Sequence, residues 1–176
     1  MMKILVIIDV QEDYIRGSLA NPLAEKIIPA IKERIIQARE NHEMVIFTMD
    51  THSEDYLKTL EGEKLPIEHC IYQTDGWQIV NEIKDYAALC ILKSTFGSIE
   101  LINRIEMVKK ALDEEVEIEV CGVVSSSCVL ANCVLLRAAM PNAKIVVNKS
   151  LIADISEANQ QAALLCLKAQ HIDIIE

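Results

Sequence analysis

Short apolar runs alternate with longer amphipathic stretches along this chain. Ile4-Leu5-Val6-Ile7-Ile8 predicts a strand over Lys3–Asp9. Ile27, Ile28, Ile31, Ile35 and Ile36 recur at helical spacing and predict a helix over Ala24–Asn41. Further strands are expected at Glu43–Met49, Ala88–Leu92, Glu115–Val123, Ala143–Val147 and Ile172–Ile175. Helices are expected at Ile99–Ala111, Val129–Ala139 and Ser156–Gln170, with a short one at Trp77–Ile83. Asp50–Asp75 reads as a long polar loop with room for a helical turn. Repeated strand–helix units predict a single-domain, three-layer α/β fold over residues 1–176, with a parallel sheet of about six strands.

Composition narrows the function classes. Hydrophobic residues make up 51% of 176, enough for a sizeable core. No apolar run reaches the ~18 residues of a membrane span. The first apolar stretch stops at Ile8 and meets Asp9 with no cleavage-like site, so it reads as a core strand of a cytoplasmic protein. A formal charge of −10 without a basic face argues against nucleic acid as a partner. The six cysteines lack a secretory context, and Cys90, Cys121 and Cys166 are expected to pack in the core.

The chemistry gathers where the strands end. In parallel α/β sheets, ligands bind outside the carboxyl ends of the strands. Asp9 closes the first strand, Asp50 the second and Lys93 the third, and the fourth runs into Ser125-Ser126-Ser127-Cys128. Cys128 therefore falls at a strand-to-helix turn, where N–H groups and the helix dipole favour a thiolate. Asp9 could act as a general base, and Lys93 could hold both Asp9 and the sulfur. Cysteine, acid and lysine together point to a nucleophilic hydrolase. Tyr72 and Trp77 offer aromatic surface to a substrate pocket. His52-Ser53-Glu54 begins like a zinc deaminase motif, but the paired cysteines that motif requires are missing.

Three segments resemble the isochorismatase-like cysteine hydrolases, which include the nicotinamidases. Ile8-Asp9-Val10-Gln11-Glu12-Asp13-Tyr14 is similar to the family's opening I-D-x-Q-x-D-F. Lys93-Ser94-Thr95-Phe96-Gly97-Ser98 resembles the segment carrying the family lysine. Gly122–Val129 resembles G-V-x-T-D-x-C-V, with Ser125-Ser126 in place of Thr-Asp. The resemblance implies an Asp9, Lys93, Cys128 triad and a thioester intermediate. It also implies a cis peptide before Val124 and an oxyanion held by the N–H groups of Val124 and Cys128. Gln11 and Tyr14 would join the substrate pocket.

Asp50-Thr51-His52, Glu61 and His69 resemble the nicotinamidase metal loop. The resemblance implies a divalent ion, with nitrogen and carboxylate ligands suited to zinc, iron or manganese. No organic cofactor is expected. Three functions remain open. The first is small-amide hydrolysis of the nicotinamidase kind. The second is metal-independent hydrolysis of a carbamoyl amide or an enol ether. The third is a non-catalytic binding protein with the same fold. The helix after Cys128 is apolar nearly all round, which suggests a homo-oligomer.

Overall fold

Strand β1 (Met2–Ile8) runs through the middle of the sheet and is buried from Ile4 onward. In the computed structural model, which describes residues 1–176, β1 pairs in parallel with β2 (Met44–Asp50) on one side. On the other side it pairs with β4 (Val116–Val123). β3 (Cys90–Lys93) extends the first side, and β5 (Lys144–Ala153) then β6 (Asp173–Ile175) extend the second. The six-stranded order is β3-β2-β1-β4-β5-β6, all parallel. The chain reverses its direction of travel between β1 and β4, and such a reversal opens a crevice at the carboxyl edge.

Side-chain alternation sends each strand's apolar residues to two separate cores. Helices α4 (Ile99–Leu112), α5 (Leu130–Ala139) and α6 (Glu157–Ala169) cover Ile4, Val6, Ile8 and Val120 on one face. On the other face, α2 (Pro22–Glu40) lays Ile28, Ile31 and Ile35 on Leu5, Ile7 and Cys121. Asn21 starts α2 by accepting hydrogen bonds from the N–H groups of Leu23 and Ala24, and Pro22 fills the first turn. That cap sets the helix start two residues earlier than the apolar spacing alone suggests. No helix is long and apolar enough to cross a membrane.

Several expected elements differ. Trp77–Ile83 is not a helix. Ile79 bridges Gln11 in antiparallel fashion, the Glu12 N–H donates to Gln78 O, and the Val80 N–H donates to Val10 O. Tertiary pairing holds that segment extended. Two short helices, α1 (Glu12–Ile15) and α3 (Leu60–Lys64), are too brief for periodicity to reveal. β5 continues to Ala153 because a register shift beside Val120 and Gly122 absorbs the polar Asn148-Lys149-Ser150. Cys121 is buried, but Cys90 and Cys166 are exposed. Cys90 points outward from edge strand β3, and Cys166 lies on the solvent side of α6.

Candidate active site

Four strand ends deliver their side chains to one place. Asp9 follows β1 in a left-handed conformation, φ 50°, which turns its carboxylate inward to complete burial. Lys93, the last residue of β3, is paired in register with Asp50, the last of β2. Lys93 Nζ lies 2.7 Å from Asp9 Oδ2, 3.4 Å from Asp50 Oδ1 and 3.5 Å from Cys128 Sγ. Thr48 donates to Asp9 Oδ1 at 2.7 Å. The approach of Lys93 to Oδ2 is an ion pair by distance but lacks hydrogen-bond angles, so Oδ2 keeps acceptor capacity.

β4 brings the nucleophile candidate in through a tight passage. Gly122 has φ 114°, and a Cβ there would sit 2.1 Å from Ile8 O. Only glycine allows β4 to pass β1 so closely. The Val123–Val124 peptide is cis, and a π-type turn over Ser125–Val129 then leads into α5. The Val124 N–H donates to no acceptor within the protein.

Burial dominates the protonation of this group. It pushes the Cys128 thiol well above the ordinary range; Asp9 pushes the same way and Lys93 opposes both. Burial and Asp9 thus work against the thiolate that the position of the turn favours. Burial, reinforced by Asp50, also raises Asp9 against the pull of Lys93 and Thr48. Burial disfavours the charged form of Lys93, but the carboxylates of Asp9 and Asp50 hold its ammonium above the usual lysine range.

Asp50, His52, Glu61 and His69 form a second cluster whose candidate ligand atoms lie within 4.8 Å of one another. Asp50 Oδ2 is 3.0 Å from His52 Nε2 and 3.6 Å from His69 Nε2. Glu61 Oε1 is 3.9 and 3.8 Å from the same two nitrogens. The His52 N–H donates to Cys70 O, and the Tyr72 N–H to His52 O, which draws the two ends of the loop together. Asp13 then accepts the Cys70 N–H at 2.7 Å and anchors the loop to α1. His69 Nδ1 contacts Ile67 O at 2.9 Å. With the proton on Nδ1, Nε2 presents a lone pair to the cluster, as a histidine ligand must. The residues therefore fit a divalent cation. Burial opposes the Asp50 charge, but His52, His69 and Lys93 hold its carboxyl far below the usual range.

Tyr14, His69, Glu61, Phe96 and Val124 line a 560 Å³ cavity that reaches the second cluster and, at Val124 and Ser127, the turn before Cys128. Tyr14 also donates to Asp50 Oδ2 at 2.6 Å. Gln11 is placed differently from the pocket role expected of it. Its amide is fully buried, donates to Asp50 O and Trp77 O at 2.8 Å, and accepts the Asp50 N–H at 2.7 Å. It clamps Asp50 instead of facing the cavity. Tyr72 and Trp77 pack edge to face on each other, ring centroids 5.0 Å apart, and do not line this cavity. Trp77 instead donates to Thr51 Oγ1. Sequence reasoning missed Phe96, Asp13 and Thr48, although the first two lie inside the quoted motifs.

The isochorismatase domain profile matches residues 3–176. The chain belongs to the isochorismatase family. No curated protein sequence matches it. Solved relatives share the fold at low identity. The zinc-complexed pyrazinamidase of Pyrococcus horikoshii is 23% identical with TM-score 0.83, over 100% of this chain and 99% of that one. The Bacillus subtilis nicotinamidase is 21% identical with TM-score 0.84, over 100% of both chains. The Thermoplasma acidophilum N-carbamoylsarcosine amidase is 19% identical with TM-score 0.81, over 100% of this chain and 96% of that one.

Proposed function

We propose that this isochorismatase-family protein hydrolyses a small amide through a thioester on Cys128. The observation that carries the reading is Lys93 Nζ in contact with Asp9 Oδ2 and Cys128 Sγ at the sheet's carboxyl edge. As Sγ attacks the carbonyl carbon, Asp9 takes the thiol proton. A raised Asp9 suits both halves of that exchange, because it must accept a proton and then return it. The new S–C bond sends the carbonyl π pair to oxygen, where the N–H groups of Val124 and Cys128 would hold it. Asp9 then protonates the nitrogen, the C–N bond breaks and the amine leaves. Water, losing its proton to Asp9, attacks the thioester; the C–S bond breaks, the acid leaves, and Asp9 returns the proton to the sulfur. Lys93 keeps Asp9 in place throughout.

Asp50, His52, Glu61 and His69 would hold zinc, iron or manganese. When bound, the ion supplies a Lewis-acidic contact for a donor atom of the substrate. Tyr14, Phe96 and Val124 form the rest of the enclosure, and 560 Å³ suits a small aromatic or carbamoyl amide. Ammonia release from a panel of such amides, nicotinamide and an N-carbamoyl amino acid included, tests the reading with and without added zinc. Release that depends on zinc and Cys128 is expected. No release from any amide contradicts it.

A further inference from the structure

One buried acid lies outside the groups assigned so far. Asp154 follows β5 and is completely buried. Its Oδ2 accepts the Ser126 N–H at 2.7 Å and the Ser125 hydroxyl at 3.1 Å. Its Oδ1 accepts the Ile155 N–H at 2.9 Å, and its carbonyl accepts from Asn21 Nδ2 at 3.1 Å. Two of these partners belong to the turn that carries Cys128. The other two, Ile155 and Asn21, line the 560 Å³ cavity.

We propose that Asp154 is a positioning residue for the oxyanion site, fixing the nucleophile turn so that the Val124 N–H stays free beside the cavity. Hydrogen bonding within the turn explains why a fixing group is needed. The Ser127 and Val129 N–H groups both donate to Val124 O, at 3.1 and 3.2 Å. Asp154 takes the Ser126 N–H. The Ser126, Ser127 and Val129 N–H groups of the turn are therefore each engaged, while the Val124 N–H has no partner. The carboxylate directly follows β5, 28 residues along the chain from Ser126, so it also ties the turn to the end of a sheet strand. It acts where Ser126 stands in place of the family's aspartate. The inference rests on the thioester reading of Cys128, and it concerns the developing oxyanion, not ionisation of the sulfur.

Two reagents separate those roles. Benzaldehyde adds reversibly to a thiol. The S–C bond forms, the carbonyl π pair moves to oxygen, and that oxygen takes the thiol proton. Its oxygen therefore samples the oxyanion position. Iodoacetamide alkylates sulfur and forms no oxyanion. Asp154→Asn keeps the size but turns one acceptor into a donor facing a donor. It should weaken benzaldehyde binding about tenfold, as a disturbed oxyanion donor would. Alkylation at Cys128, read by peptide mass spectrometry, should stay within about twofold of wild type. Ser125→Ala, which keeps the carboxylate, should give a smaller loss with the same selectivity. Equal losses to both reagents, or no loss to either, overturn the inference. A wild-type protein that forms no benzaldehyde adduct overturns the Cys128 reading beneath it instead.

Discussion

Two clusters share the carboxyl edge, and they are built in different ways. The Asp9, Lys93 and Cys128 corner comes from strand ends and one turn, so sheet register and the turn that Asp154 ties down set its spacing. The Asp50, His52, Glu61 and His69 corner comes mostly from a loop, closed by backbone bonds at His52 and by the Asp13 anchor. Asp50 belongs to both, with Oδ1 toward Lys93 and Oδ2 toward the histidines. Register gives a rigid constellation for bond-making. A loop gives a site whose composition can change without disturbing the sheet.

The largest effects are expected at the reacting atoms. Cys128→Ser should lower amide turnover by about a thousandfold or more at unchanged thermal midpoint, since a hydroxyl of similar size ionises far less readily. Asp9→Asn should cost about as much, because base and nucleophile act as one unit. Steady-state assays and thermal melts check both. Lys93→Met separates support from chemistry. It leaves two buried carboxylates without their cation, so a stability loss of about 3–5 kcal/mol is expected by denaturant unfolding, alongside lost turnover.

The loop corner should respond less. His52→Ala should lower zinc affinity about 10- to 100-fold by calorimetry while leaving Cys128 alkylation unchanged. Parallel loss of alkylation would show the two corners to be one unit. The smallest effect is the pH profile of the unaltered protein. Because burial and Asp9 raise the Cys128 thiol, the thiolate fraction should grow as pH climbs past the ordinary thiol range. The alkylation rate at Cys128 should still be rising above the ordinary thiol value of about 8.5. A plateau below it contradicts a raised thiol.

Particular residues show what was legible in the sequence. Asp9, Lys93 and Cys128 each end an apolar run or its turn, and parallel topology carries such positions to one edge. Asp154 carries the same signal, an acid after an apolar run, but reading Asn148-Lys149-Ser150 as the end of β5 hid it. Tyr72 and Trp77 were aromatic and near the loop, yet their edge-to-face packing depends on chain geometry that spacing does not encode. The sign of the Cys128 shift was also out of reach. The helix end is visible in sequence, whereas burial of Cys128 emerges only when the strands and α5 pack together.

The central claim is that the acyl group passes through Cys128 sulfur. Acid-quenching a reaction with the amide that releases ammonia fastest, followed by peptide mapping, tests it directly. An acyl mass is expected on the peptide containing Cys128 and none in Cys128→Ser. Turnover with no acyl adduct on Cys128, or with the adduct on Cys133 or another residue, would contradict it.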